Sequence, residues 1–463
     1  MRYIDIFNIT DFKLKFANGE SVNAYDIIRL GPLSSKPLYD SGDIGVERYR
    51  RLLILYNEAD NSKRFADILA SNLREGYKSN RKIFPGINSV LRTRFEIDVA
   101  SFRDYDPEKI YDTFNQHSSS QEAFPIIILP KTPKGEYDSI YYRIKATFLM
   151  YDTPCQIVTR ELLDDENRFK WSLLSIATQI YAKMGGIPYG LDRSVIRPGW
   201  TESSDTMVAV MGLGISAHPQ LRRRGVGFIV VFDHKGVWNF MDAEVLAMDN
   251  WERMSEQVAK LIERGLSRIL SKNARKYNIL VIHYSGKEIG VREEEAIRNA
   301  ISNAQSVGKF AAIYVLKIKD SDIIVGYKGS PHRSKSGGET SYPPVGTVFR
   351  LKPDVYLLVA TGYFPRDRGI GSNISIGLPA TKIISRHREI EIGGLDRSIE
   401  DKDLLRTVFA LMRLNYRSIS NPIATEPVTI RYSREIAWIM LRLADLGVDI
   451  RMLNKLSRVM WFL

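Results

Sequence analysis

The sequence predicts an α/β protein: two tandem domains in which buried strands alternate with amphipathic helices, preceded by a small strand-rich segment. Three observations lead there. From position 124 onward short apolar runs alternate with helical patterns, glycines and prolines punctuate their ends, and a polar stretch near 191 to 205, holding Pro198 and Gly199, divides the series in two.

The 463 residues exceed the usual single-domain size of about 100 to 150. The apolar share of 44% and charged share of 26% are those of a globular chain. Cys155 is the single cysteine, which excludes a disulfide framework within the chain and a zinc site built on several thiolates. The opening MRYIDIFNITDFKLKF alternates apolar and polar residues, and no run approaches the ~20 apolar residues of a membrane span, so a cytoplasmic protein without membrane insertion is expected. A formal charge of +12 favours a polyanionic partner, the alternative being a generally basic, soluble surface.

Residues 1 to 35 read as two or three short strands around the turn Ala17-Asn18-Gly19-Glu20, and residues 46 to 115 mix apolar strands with charged helical stretches such as Asn61 to Arg81. Next come a strand (Phe124 to Leu129), a helix (Asp138 to Tyr151), a strand (Gln156 to Thr159) and a helix (Arg168 to Lys183) closed by Gly185-Gly186. The second domain opens with the strand of MVAVMGLGISAHP, from Met207, and a hairpin of Phe228 to Phe232 and Val237 to Met241 around Gly236. A helix from Trp251 to about Lys272, a strand Ile279 to His283, a helix Arg292 to Gln305, strands Ala311 to Ile318 and Ile323 to Tyr327, and helices from Asp401 and Ser433 complete it.

On the 138 to 151 helix, Ile140, Ile144 and Phe148 form one buried face, with Tyr141 and Lys145 one turn apart beside it. Gln156 stands at the mouth of the following strand and Lys183 in the last turn of the next helix. Ligands of α/β layers collect at the carboxyl ends of strands, which is where these groups are expected to meet. Two ammoniums, a phenol and an amide suit a phosphate monoester. From spacing alone, solvated lysines and a half-buried tyrosine remain the alternative.

The series Tyr141-x-x-x-Lys145, Thr153-Pro-Cys-Gln156 and Ala182-Lys-Met-Gly-Gly-Ile-Pro-Tyr189 resembles the MID domain of prokaryotic Argonaute and Piwi proteins. Pro344-Val-Gly-Thr347, Leu357-Leu-Val-Ala-Thr-Gly362, Leu414-Asn-Tyr-Arg-Ser418 and Pro427-Val-Thr-Ile-Arg-Tyr432 are similar to PIWI-domain signatures. The resemblance implies a Rossmann-like MID domain (residues 121 to 195) and an RNase H-like PIWI domain (196 to 463), after an N-terminal segment of residues 1 to 120 partly associated with MID. It assigns Tyr141, Lys145, Gln156 and Lys183 to the 5′-phosphate of a guide strand, and the carboxylate of Leu463 to a divalent cation, magnesium in expectation, at that phosphate.

RNase H chemistry uses two divalent cations held ~4 Å apart by carboxylates. The resemblance places Gly214, Ser285 and Arg434 at the metal-ligand positions, and none of the three can replace a carboxylate. Glu244 and Glu252 lie near the position of the family's mobile glutamate, and His218 and His283 flank the site, where packing or surface roles are the simpler reading. Basic clusters at Arg222-Arg-Arg224, Lys328 with His332, Arg333 and Lys335, Arg366 with Arg368, and Arg386-His-Arg388 are expected either as solvated loops or as the lining of a duplex channel. The resulting expectation is a short, non-cleaving protein with no catalytic metals that pairs a guide with a target strand and acts with a separate effector in defence against plasmids or viruses. A nuclease with non-standard ligands and a small-molecule-binding α/β sensor are the alternatives.

Overall fold

The computed structural model describes residues 5–16, 21–23, 48–78, 82–91, 93–118, 123–130, 134–195, 207–217, 224–247, 250–271, 277–285, 291–305, 310, 312–323, 332–333, 339–340, 343, 345–360, 381–393, 399–417, 425–448 and 456–463. The chain divides into two compact units. One comprises Leu14–Gly190, Asn415–Pro422 and Trp438–Leu463, and the other Met1–Lys13, Leu191–Leu414 and Ile423–Ala437. Along the chain, the first described strand, β1 (Ile6–Asn8), belongs to the latter.

The unit containing residues 14 to 190 is a parallel α/β layer. It runs β2 (Arg51–Asn57), α1 (Lys63–Glu75), β3 (Glu96–Phe102), α2 (Pro107–His117), β4 (Ala123–Leu129), α3 (Lys134–Met150), β5 (Gln156–Thr159) and α4 (Glu166–Lys183). The sheet order is β3-β2-β4-β5, every pair parallel. Central β4, AFPIIIL, is buried at all its positions because neighbouring elements cover both faces of a parallel sheet. Leu53, Leu55, Ile127 and Leu129 pack against Ile110, Phe114, Ile144 and Phe148 of α2 and α3.

Two sequence expectations change here. The layer extends well before residue 121, because β2 and β3 supply half of its sheet, and Trp438–Leu463 returns to it from the far end of the chain. Strand pairing at long sequence separation set this boundary, and local patterning carries no record of it. The helix expected over Asn61 to Arg81 stops at Glu75, where Gly76 adopts φ +86°.

The other unit is built on a ten-stranded sheet. After β1 it contains β6 (Met207–Ala217), β7 (Arg224–Asp233), β8 (Trp238–Ala247), α5 (Trp251–Ser271), β9 (Tyr277–Tyr284), α6 (Val291–Gln305), β10 (Ala312–Ser321), β11 (Thr347–Lys352), β12 (Val355–Val359), β13 (Thr381–Arg386), α7 (Asp401–Leu411) and, as far as Ala437, α8 (Val428–Asp445). The order is β1-β11-β12-β13-β10-β9-β6-β7-β8, with Ile392–Gly393 also pairing with β10. β6, β9 and β10 are mutually parallel, and β6-β7-β8 is an antiparallel meander whose turn from β7 to β8 uses Gly236 at φ +70°. The segment 1 to 120 is therefore shared, since β1 pairs with β11 here.

Alternation along β6 assigns its two faces. Met211, Leu213 and Ile215 pack with Leu261, Ile262, Ala296 and Ile297 of α5 and α6. Gly212 and Gly214 point the other way, against Thr429 and Ser433 of α8. That helix begins at Val428, ahead of the expected Ser433, because the Pro427 carbonyl already accepts from the amides of Ile430 and Arg431. The turn 17 to 20, Pro198, Gly199, His218, Arg222, Arg223, residues 324 to 327, Lys328, Lys335, Arg366 and Arg368 lie outside the described residues. Among the described residues no helix is long and apolar enough to cross a membrane.

Candidate anion-binding site

The parallel layer brings together the four residues singled out from the sequence. Two residues after α3 ends, Asp152 takes φ +53°, and the amide of Thr153 bonds back to the Phe148 carbonyl, turning the chain into β5. α4 is closed by Gly185 at φ +99°, with Gly186 donating to the Tyr181 carbonyl. A Cβ on Gly186 would lie 2.3 Å from the Tyr181 ring, so the closing turn is pressed against its own helix. These two reversals position Lys145, Gln156 and Lys183.

Lys183 is 1% exposed and donates to Gln156 Oε1 at 2.7 Å and to the Cys155 carbonyl at 3.1 Å. Lys145, also 1% exposed, holds its ammonium 5.0 Å from the Tyr141 ring centroid, and that ammonium has no hydrogen-bond partner among the described residues. Burial pulls the Lys145 pKa down to about 8, and the Arg417 guanidinium adds to the depression. Burial also lowers Lys183 well below the ordinary lysine value, with Lys145 itself the next depressing influence. The Tyr141 phenol and the Cys155 thiol are raised by burial.

Arg417 is the group that sequence reading missed. It sits inside the Leu414-to-Ser418 motif quoted above, yet only the fold places its charge beside Lys145 and Lys183. Its guanidinium donates to the Phe462 carbonyl at 3.5 Å, which brings the buried tail Trp461-Phe462-Leu463 into the same neighbourhood. One expectation fails in detail: Gln156 is the first residue of β5, so the cluster stands at the amino end of that strand and not at a carboxyl-end crevice. The last turn of α4 and the turn leaving α3 both reach that end, because each helix runs antiparallel to the strands it connects.

Like charges gathered where water is excluded destabilise one another unless an anion joins them. An ammonium buried without a partner forgoes its hydrogen bonds, a cost that a ligand oxygen would remove. The chemistry on offer is capture of a compact anion by charge-assisted hydrogen bonds.

The other unit holds the positions that the sequence resemblance relates to catalysis. A Cβ on Gly214 would lie 2.7 Å from Ser433 Oγ and 2.8 Å from the Ser433 carbonyl carbon, and one on Gly212 would lie 2.1 Å from the Thr429 carbonyl oxygen. His283 is fully buried with one ring nitrogen 3.0 Å from Thr429 Oγ1 and the other 3.0 Å from Thr407 Oγ1, and burial lowers its pKa to about 3. Ser285 directly follows β9 and is half-buried. Arg434 donates to both carboxylate oxygens of Glu426. Glu244 pairs with Arg264 at 2.5 Å, and Glu252 is exposed in the first turn of α5.

The cluster Arg386-His387-Arg388 does not present free charge. Arg386 is buried between Glu391 and Asp401, Arg388 bonds Asp354 and Asp401, and His387 meets Tyr284 and Glu389. Its acidic partners lie on both sides in sequence, which a window of basic residues conceals.

No protein-family model and no curated protein matches this sequence. Solved structures do. Clostridium butyricum Argonaute, bound to a guide DNA with 5′ deoxycytidine and a 19-mer target DNA, is 15% identical at a TM-score of 0.65, over 99% of this chain and 55% of that one. Drosophila Piwi is 13% identical at 0.60, over 99% and 56%, and A. aeolicus Argonaute 16% identical at 0.56, over 99% and 55%. The chain spans about half the length of each. It has the fold of the Argonaute and Piwi proteins, a MID-like parallel α/β layer with an RNase H-like PIWI sheet.

Proposed function

We propose that this protein binds a guide oligonucleotide by its 5′-phosphate and uses it to recognise a complementary target strand without cutting it. The observation that carries the reading is the Lys145 ammonium, 1% exposed and without a hydrogen-bond partner among the described residues, beside Lys183 and Arg417. A terminal phosphate brings close to two negative charges and several acceptor oxygens, which such a cluster lacks. Tyr141 and Gln156 line the same cluster and supply neutral hydrogen-bonding groups. The target sequence would be read by base pairing with the guide.

A divalent cation does not suit Lys145, Lys183 and Arg417 by themselves, since all three are cationic. It fits only once guide phosphates supply oxygens and the carboxylate expected at Leu463 joins them. Leu463 is 4% exposed and follows Phe462, whose carbonyl Arg417 contacts, so it lies within reach of the cluster. The ion would neutralise adjacent phosphates there.

Absence of cleavage is supported by crowding at Gly214 and by the Arg434–Glu426 pair, a guanidinium at a position that the resemblance gives to a metal ligand. In keeping with the resemblance, signalling to a separately encoded effector, in prokaryotic defence against plasmids or viruses, completes the proposal.

The test is binding of matched 5′-phosphorylated and 5′-hydroxyl oligonucleotides. The wild-type chain should prefer the phosphorylated form, and Lys145→Ala with Lys183→Ala should abolish that preference. Equal loss for both oligonucleotides would refute the pocket. A sequence-specific product from a matched guide and target, lost on chelation, would refute the non-cleaving part.

A further inference from the structure

Three aromatic rings carry the core of the parallel layer out to its surface. On α2, Ile110 and Phe114 are buried and Tyr111 stands beside them, only partly covered. The Tyr111 ring meets buried Phe148 of α3 edge-on, with centroids 5.2 Å apart, and lies 6.0 Å from the Phe114 ring. Tyr151, the first residue after α3, then stacks flat on Tyr111, the centroids 4.0 Å apart and the planes 12° from parallel. Tyr151 is 50% exposed, and among the described residues no second ring lies over it. One face of its ring is therefore held by the core, and the other is open to solvent.

Carboxylates stand beside that ring. Glu108 and Asp112 lie one turn apart on α2, both exposed, and Glu108 accepts from the Tyr151 hydroxyl and from Thr147 Oγ1, each at 3.4 Å. The Glu108 charge is the main influence raising the Tyr151 phenol pKa, and the Asp112 charge adds to it. Among the described residues neither carboxylate pairs with a cation, and the adjacent Lys109 is taken up by Asp104 at 2.7 Å. A chain of net charge +12 thus presents, at this one place, a rigid aromatic face with negative charge at its side.

An organic cation suits such a place, drawn by the electron-rich ring face and by the carboxylates together. A guanidinium suits it better than an ammonium, because it stacks flat on a ring, is more weakly hydrated, and can donate to a carboxylate from its edge at the same time. Nucleic acid suits it poorly, since its phosphates would meet Glu108 and Asp112. We propose that Tyr151, with Glu108 and Asp112, is the docking point for an arginine side chain of a partner protein. The site uses none of Lys145, Gln156, Lys183 and Arg417, so it stands independently of the phosphate reading above.

The experiment uses the full chain and a tripeptide, glycyl-arginyl-glycine capped at both ends, with binding read by saturation transfer to the arginine methylene protons near neutral pH. The same peptide with citrulline keeps the shape without the charge and should bind about tenfold more weakly. Tyr151→Leu should weaken the arginine peptide about fivefold, whereas Tyr151→Phe, which keeps the ring, should stay within about twofold of the wild type. Glu108→Gln with Asp112→Asn should weaken it about tenfold. Because the three side chains are exposed, every variant should melt with the wild type.

Equal binding of the arginine and citrulline peptides overturns the proposal, as does a Tyr151→Leu variant that binds like the wild type. A wild-type chain that shows no saturation transfer at millimolar peptide overturns it too. Two further measurements test the occupant. Self-association of the wild type that Tyr151→Leu abolishes would give the face to a second copy of this chain, and weaker oligonucleotide binding by that variant would give it to nucleic acid. Either result overturns the assignment to a partner protein.

Discussion

Replacing Gly214 by alanine should destabilise the RNase H-like unit by crowding α8. The added Cβ would lie 2.7 Å from Ser433 Oγ, 2.8 Å from its carbonyl carbon and 2.9 Å from its Cβ. The hydroxyl can rotate away, whereas the carbonyl carbon is part of α8 and cannot. Gly214 also pairs with Phe228 of β7, and Gly212 on the same strand pairs with His283 of β9, so the strand is held on both sides. Relief therefore requires α8 to lift from the sheet, and overpacking of this kind costs about 1–3 kcal/mol. For a unit of this size that is a fall in melting temperature of about 3–10 °C. Thermal unfolding followed by circular dichroism measures it.

Two companion variants sharpen the reasoning. Gly227→Ala meets only the methyl ends of Leu261 and Leu246 at 3.2–3.4 Å and should cost much less. Ser433→Gly combined with Gly214→Ala should recover only part of the loss, since the carbonyl carbon remains. If Gly214→Ala melts with the wild type, the close approach of α8 is wrong, and with it the steric argument against an aspartate at 214. Gly214→Asp should be worse than alanine, and should show no chelator-sensitive cleavage while Ser285 and Arg434 remain.

Three further outcomes are expected. Affinity for a 5′-phosphorylated guide should be level near pH 7 and fall as pH rises above about 8, because Lys145, with its free-state pKa of about 8, must then take up the proton that the phosphate requires; a flat titration to pH 9.5 would contradict this. His283 remains neutral in the fold down to about pH 3 while the unfolded chain protonates near the ordinary value of 6.5, so stability should fall with pH across that window. His283→Gln should flatten that acid limb in urea titrations, and an unchanged slope would refute the assignment. At the β8 edge, Arg264 caps the Ala243 carbonyl at 3.0 Å, Arg268 caps that of Met241 at 3.2 Å, and Asp242 accepts from the Ala243 amide at 2.8 Å. Arg264→Met with Arg268→Met should therefore promote edge-to-edge association in light scattering, and a monodisperse variant at the wild-type mass would count against that protective role.

Much of the architecture was legible because strand and helix periods are local. The strand Gln156–Thr159, the helix ending at Lys183 and the hairpin closed by Gly236 need only neighbouring residues to be recognised. Tyr141 and Lys145 were likewise visible, as a pair one turn apart. Arg386 misled for the same reason: its basic neighbours adjoin it in sequence, while one of its carboxylates, Asp401, lies on another element.

The sequence alone determined the alternation of strand and helix, the absence of a thiolate-rich metal site, and the glycine, serine and arginine at positions 214, 285 and 434. Tertiary structure decided that β2 and β3 complete the layer begun by β4, and that Arg417 charges the same pocket as Lys145 and Lys183. It also decided that α8 occupies the space beside Gly214. Period and composition act over a few residues, whereas charge clustering and steric exclusion depend on which distant segments the sheets bring side by side.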